Sequence, residues 1–233
     1  MTSTKYNLSK FRDKVIAIDG PAGSGKSTTS KILAARLGFR YLDTGAMYRA
    51  LTWLALQHEV APSDGEKLKV LAANVLIEFE THEDVNQVFI NGREVTDEIR
   101  TPEITLHVSE VSAHPEVRKA MVRKQIEMGK EGSIVAEGRD TTTVVFPDAD
   151  VKVYLDAAVQ TRAERRLIEM AKMGVTTSLE EQIADIERRD KFDSGREHSP
   201  LYRHKDAYSV DTTNCTIEEQ VDRILELLKN VLK

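Results

Sequence analysis

Hydrophobic and polar positions change period repeatedly along this chain of 233 residues. Short apolar runs at Val15 to Ile18, Phe39 to Leu42, Ser133 to Ala136, Val151 to Leu155 and Ala207 to Val210 have the length of strands. The first four carry mostly the aliphatic or aromatic residues of buried strands. Between the runs, apolar residues recur at helical spacing over about 26–37, 45–58, 115–128, 159–173, 178–191 and 216–230. Gly38 and Gly174 each follow the last periodic residue of a helix, where a left-handed C′ position favours glycine. Strands alternating with helices predict an α/β fold, with βα units packed on a parallel sheet flanked by helices.

Residues 61–108 break that rhythm. Val75, Ile77 and Phe79 alternate with other residues, and Val88 to Ile90, Asn91-Gly92 and Arg93 to Val95 follow. Asn-Gly between two strand-like runs signals a type I′ hairpin, because both central residues need positive φ. The segment is therefore expected to be an inserted lobe built on a small antiparallel meander. The core would then comprise 14–60 and 109–233, with 1–13 a short polar N-terminal extension. Ser194 to Lys205, polar and charged with Gly195 and Pro200, is expected to be a mobile loop.

Composition narrows the function classes. Hydrophobic residues make up 40% of the chain and charged residues 30%, and no apolar run approaches the roughly 18 to 20 residues that cross a bilayer. No membrane partner is expected. The first residues lack the apolar segment of a secretory signal, and Cys215 is the single cysteine, so a soluble cytoplasmic protein is expected. A net charge of −5 argues against a nucleic-acid partner, which needs concentrated Lys and Arg. A small anion can still be held by a local arginine cluster, since exposed charges are screened over about 8 Å.

The most informative string is Gly20-Pro21-Ala22-Gly23-Ser24-Gly25-Lys26-Ser27, followed by Thr28. It matches G-x-x-x-x-G-K-[ST] in full, directly after one predicted strand and directly before a predicted helix. With glycine near 7% of residues, chance would produce the string in about one chain per hundred of this length. In such a loop the backbone N–H groups converge on phosphate oxygens at a helix N-terminus. Lys26 would reach the β and γ phosphates, and Ser27 would ligate magnesium. Residues 20–28 are thus the expected ATP contacts. Neither the Asn-Lys-x-Asp guanine motif nor a Leu-Ser-Gly-Gly-Gln signature occurs, which leaves metabolite kinases as the main class.

Three arginine-bearing segments follow predicted strands or end a helix. Tyr41 to Arg49 lies at the carboxyl edge of the second strand, where ligand loops gather. Asp43 or Thr44 can equally be read as a helix cap, with Met47, Leu51 and Leu54 facing the core and Tyr48 packing. Glu137-Gly138-Arg139-Asp140 follows the third strand. On its own, an Arg-Asp neighbour pair is usually a weak surface ion pair. Arg188 to Arg196 ends a helix in the expected mobile loop. The dipole of an exposed helix end accounts for Arg188 and Arg189 but not for Arg196, beyond the glycine. A lid over about 188–205 that brings cations to a transferring phosphoryl group accounts for it.

Taken together, Gly20 to Ser27, Leu42-Asp-Thr-Gly-Ala-Met-Tyr-Arg49, Gly138-Arg139-Asp140 with Val144-Val-Phe-Pro147, and Arg189 through Arg196 with Pro200-Leu201 resemble the bacterial cytidylate (CMP) kinases. The resemblance covers the chain from about residue 14. It implies a P-loop NTPase-type five-stranded parallel sheet ordered 2-3-1-4-5, an enlarged monophosphate-binding insert and a short lid. It also implies magnesium-dependent transfer of the γ-phosphoryl group of ATP to CMP and dCMP. By position, Thr44, Ser109, Arg118 and Asp140 would line the nucleoside pocket, and Arg49 and Arg139 would hold the acceptor phosphate. Arg189 and Asp193 would approach the ribose, with Arg196 between base and phosphates. Lys26, Arg139, Arg189 and Arg196 are the expected catalytic cations, and the enzyme is expected to act as a monomer on small molecules alone. Thr44 stands where many members have serine, and Phe192 lies in a stretch that is often more charged.

Cytosine suits this chemistry. Its N4 amino group is a donor that a carboxylate such as Asp140 can read, while Arg118 can donate to O2 and N3. The alternatives are a P-loop kinase for another small acceptor, such as shikimate, dephospho-coenzyme A or a different nucleoside monophosphate, and a module that the nucleotide only switches.

Overall fold

The computed structural model describes residues 11–82 and 85–231. In chain order the first elements are β1 (Val15–Asp19), α1 (Lys26–Leu37), β2 (Arg40–Asp43) and α2 (Thr44–Gln57). Next come α3 (Gly65–Asn74), β3 (Ile77–His82), β4 (Val85–Ile90), β5 (Arg93–Glu94) and α4 (Pro102–Val111). The chain continues with α5 (Pro115–Gly129), β6 (Ile134–Gly138), β7 (Val151–Asp156), α6 (Val159–Lys172), α7 (Leu179–Ser194), β8 (Tyr208–Asp211) and α8 (Ile217–Val231).

Five of the strands form one parallel sheet in the order β2-β6-β1-β7-β8. Counted by first appearance this is 2-3-1-4-5, the order implied by the family resemblance. β1 is central, so Ile16, Ala17 and Ile18 are fully buried. Alternation along β6 shows how the sheet divides the core. Ile134 and Ala136 face an apolar cluster with α2, α4 and α5, while Val135 faces a second cluster with α1 and α8. Because all five strands are parallel, their carboxyl ends share one edge, and the loops after β1, β2 and β6 meet there.

The 61–108 segment holds the expected antiparallel sheet, β3-β4-β5. Asn91 and Gly92 turn between β4 and β5 at φ 48° and 80°, as the type I′ signal required. It also holds α3 and the first two turns of α4, which continues past 108 to Val111, beyond the meander read from the sequence. Their signals are caps. Asp64 accepts from Lys67 N at 3.1 Å ahead of buried Leu68 and Ala72, and Thr101 accepts from Ile104 N at 3.4 Å ahead of buried Ile104, Val108 and Val111.

Two other segments depart from expectation. Of the extension 1–13, residues 1–10 lie outside the described residues. Phe11 is buried in the α1/α8 cluster, because its ring is apolar whatever its neighbours. α7 begins with a Ser178–Glu181 capping box and runs three residues beyond the expected 191, so Asp193 is on a helix. The polar stretch after it is tied back, with Leu201 buried and its N–H donating to Asp193 O at 2.8 Å.

Candidate active site

The loop after β1 is held open by glycine. Gly25 caps α1 at φ 91° with no side-chain cap, which leaves the first-turn N–H groups available to an anion. At Gly23, φ is 76° and a Cβ would come within 2.9 Å of Arg162. Lys26 is buried in the first turn, and its ammonium donates to Pro21 O at 2.8 Å. Burial, and then the nearby Arg139 guanidinium, lower its pKa to about 7, against the opposing pull of Glu137 and Asp19.

Two buried carboxylates flank that lysine. Glu137, at the end of β6, has its pKa raised by burial and by Asp43, opposed by Lys26 and by hydrogen bonds from Ser27 and Tyr41. The Tyr41 hydroxyl donates to it at 3.0 Å. Among the described residues, no group of three or more His, Cys, Asp or Glu side chains is placed to hold a metal ion. One exposed hydroxyl, Ser27, beside the Glu137 carboxylate still suits magnesium, which keeps several waters and takes phosphate oxygens rather than an all-protein cage.

A cavity of about 490 Å³ opens from this loop toward α4, α5 and α7. All nine expected acceptor residues line it: Thr44, Arg49, Ser109, Arg118, Arg139, Asp140, Arg189, Asp193 and Arg196. Of the expected ATP contacts, Gly20, Pro21 and Ser24 do not line it. They are buried beneath the loop, where their contribution is to its shape. Thr44 Oγ1 donates to Glu137 O at 2.7 Å, joining the start of α2 to the end of β6. Asp43 caps α2 through Ala46 N at 2.8 Å, so capping and site placement are both true of this turn. Arg49 donates to Thr105 Oγ1 at 2.9 Å and Ile99 O at 3.3 Å. Its pKa falls to about 10 through burial.

Arg139 and Asp140 do not pair with each other. Arg139 Nε donates to Asp193 Oδ2 at 2.9 Å, while Asp140 Oδ2 accepts from Arg118 Nη2 at 2.5 Å. The guanidinium of Arg118 also donates to Ser112 O at 3.0 Å and lies 5.3 Å from the Tyr48 ring centroid. Arg118 is 4% exposed and Asp140 2%, so the pair is desolvated. Burial alone would lower the Arg118 pKa, but Tyr48 and Asp140 more than reverse this and raise it.

Asp193, 1% exposed, gathers three arginines: Arg139, Arg196, and Arg189 at 3.9 Å. Burial would raise its pKa, and these cations lower it. Burial would lower the Arg139 pKa, but Asp193 and Glu137 more than reverse this, whereas the other two arginines are not fully balanced. Burial and Arg139 lower Arg189 to about 9, and burial lowers Arg196. Cations held below their ordinary pKa without enough counter-charge favour binding of a multiply charged anion.

A sequence profile of the cytidylate kinase family matches residues 16–230. The chain belongs to the cytidylate kinase family. It is 50% identical over 214 residues to a cytidylate kinase from Enterococcus faecalis, covering 92% of this chain and 95% of that one. It is 49% identical over 213 residues to one from Geobacillus sp., covering 91% and 95%. A crystal structure of an uncharacterized protein from Eubacterium ventriosum, 11% identical, shares the fold at TM-score 0.51 over 94% of this chain and 99% of that one. Membership makes the chain a kinase that phosphorylates a nucleoside monophosphate with ATP as donor. No described helix is long and apolar enough to cross a membrane.

Several residues of this site escaped the sequence reading. Arg162 on α6 is 4% exposed and donates to Ala22 O at 3.2 Å and Ala157 O at 2.9 Å, while pairing with Asp190 on α7 at 2.7 Å. Arg165 donates to Gly23 O at 3.2 Å. Both grip the phosphate loop from behind. Arg162 stands next to buried Ala163, on the side of α6 that packs inward, and a charge there is the one local clue. Asp19 and Glu137 end apolar strands directly before the strings Gly20 to Ser27 and Gly138 to Asp140, but neither carboxylate has a role of its own in the sequence reading.

Proposed function

We propose that this kinase transfers the γ-phosphoryl group of ATP, with magnesium, to CMP and dCMP, giving CDP and dCDP for pyrimidine nucleotide metabolism. The observation that carries the reading is the desolvated Arg118–Asp140 pair at the cavity wall. A carboxylate beside a guanidinium offers an acceptor next to donors, the complement of the cytosine N4–H, N3 and O2 edge. Uracil, with an acceptor at O4, would meet the carboxylate unfavourably.

Around that edge, Thr44 and Ser109 would complete the nucleoside pocket, and Arg49 and Arg139 would hold the acceptor phosphate. Arg189 and Asp193 would take the ribose. Ala22, Gly23 and Gly25 to Thr28 would cradle the donor phosphates on a loop shaped by Gly20, Pro21 and Ser24, with Ser27 and water holding magnesium. Magnesium, when bound, supplies charge neutralisation on the β and γ phosphates. An oxygen of the acceptor phosphate bonds to the γ phosphorus while the bond to the β-phosphate oxygen breaks. Lys26, Arg139, Arg189 and Arg196 stabilise the charge spread over the equatorial oxygens. The lobe at 61–108 would wall the acceptor side and the segment at about 188–205 would close over both nucleotides.

The test is an acceptor panel in a coupled assay of ADP release. CMP and dCMP should exceed UMP in kcat/KM by about tenfold or more, the scale of one charge-assisted hydrogen bond, and AMP, GMP and shikimate should give no turnover. Equal use of CMP and UMP would remove the cytosine reading.

A further inference from the structure

Asp19 is the last residue of β1, immediately before the phosphate loop, and it is fully buried. Although its charge is felt by Lys26, its two oxygens accept no hydrogen bond from that ammonium or from the loop amides. They are taken up by the turn that follows the third parallel strand, 122 and 123 residues later. Oδ1 accepts from Thr141 N at 2.9 Å and Thr141 Oγ1 at 2.5 Å, and Oδ2 accepts from Thr142 N at 2.8 Å and Thr142 Oγ1 at 2.6 Å. Four donors on one buried carboxylate form a fully satisfied network, which fixes geometry far more firmly than any single bond.

Those donors belong to an unusual element. Residues Thr141–Val145 form one wide turn of π-helix, in which Val145 N donates to Asp140 O at 3.1 Å and Phe146 N to Thr141 O at 2.8 Å. Such turns recur at functional sites. Arg139 and Asp140 are the two residues just before it, and both line the cavity with different partners, one bonded to Asp193 and the other to Arg118. Asp140, at φ −141° and ψ 20°, has neither strand nor helix geometry, so its direction depends on what anchors the turn.

We infer that Asp19, through the Thr141 and Thr142 hydroxyls, is a positioning residue that aims Arg139 and Asp140 at the acceptor. It does so from the base of the donor loop, so that the two substrate sites are indexed to one carboxylate. The inference rests on the acceptor roles proposed above for those two residues. Neither threonine lines the cavity, which separates their effect from direct contact. Groups that position a site residue matter because small errors in reacting geometry are costly.

Thr142→Val tests this, since it removes one hydroxyl donor without changing charge or volume appreciably. Thr141→Val and the double variant extend the series. Thr142→Val should raise the CMP KM roughly 3- to 10-fold, the scale of one lost hydrogen bond, with ATP KM unchanged within a factor of about two and more loss in the double variant. Thr142→Ser, which keeps the hydroxyl, should restore the CMP KM. A purely structural role would lower the melting temperature with both KM values unchanged, and that result overturns the inference, as would parallel rises in the ATP and CMP KM. Failure of the base-reading proposal shows separately, because Asp140→Ala would then leave the CMP-to-UMP ratio of kcat/KM unchanged whatever Thr142→Val does.

Discussion

Lys26 is the side chain whose charge depends most on what lies beside it. Burial and Arg139 hold it near pKa 7, against about 10.4 for a free lysine. Between those values the unfolded chain binds more protons than the folded one. This group therefore makes the ligand-free protein more stable as pH rises from about 7 toward 10, its penalty being complete below 7. Donor phosphates would reverse the shift by placing negative charge against the ammonium. Donor binding at pH 8 should then take up most of one proton. Titration calorimetry in buffers of different ionisation enthalpy measures this directly. Lys26→Met should bind without that uptake and lose turnover by orders of magnitude, consistent with a cation that acts on charge developing in the transition state. Equal uptake by the variant would locate the proton elsewhere. The same logic applies less strongly to Arg189 and Arg49, held near 9 and 10, which remain charged at neutral pH.

At the scale of elements, α7 carries Arg189 and Asp193, with Arg196 just beyond it, on a helix that packs chiefly against one neighbour, α6. Beyond that packing, its polar ties to other elements are Arg139–Asp193 and Arg162–Asp190. Segments with few ties open at low free-energy cost. Backbone amides over 190–205 should gain hydrogen-exchange protection when a non-hydrolysable ATP analogue and CMP are both present, and gain less with either alone. Arg189→Ala or Arg196→Ala should remove most of that gain and lower kcat by at least tenfold, with little change in melting temperature. Unchanged exchange would exclude a closing lid. What the sequence revealed about this site and what it hid divide along the same line. The loop from Gly20 to Thr28 and the Asn91-Gly92 turn were legible because local backbone demands fix them. The caps of α3 and α4 were also local, but a strong strand-like alternation at Val75, Ile77 and Phe79 drew attention from Asp64 and Thr101. The π turn at 141–145 was hidden because its anchor is Asp19, more than 120 residues away. The Arg139–Asp193 pair, 54 residues apart, was likewise invisible to any window of neighbouring residues. The family resemblance implied that both residues belong to the site, but not that they pair.

For the molecule as a whole, the two faces of the central sheet bury separate apolar clusters, and the buried apolar residues described in 61–108 all belong to one of them. Leu68 of α3, Ile77, Val88 and Ile90 of the small sheet, and Val108 of α4 join Leu42, Ile134 and Ala136 of the central sheet in one continuous set. A lobe that buries its apolar residues in the same cluster as the sheet cannot lose them without exposing that face of the sheet, so both should unfold together. Leu68→Ala is the informative substitution. Its side chain is fully buried and lies far in sequence from every cavity residue named above, and a leucine removed from a packed core costs about 2 to 5 kcal/mol. For a chain of this size that is a fall in melting temperature of roughly 5 to 15 °C. Differential scanning calorimetry should show one peak for the parent protein and one for the variant, with calorimetric and van't Hoff enthalpies equal in both. A peak that splits, with an early transition assignable to 61–108 and a late one at the parent temperature, would mean that the lobe is an independent folding unit and that its shared core contributes no coupling.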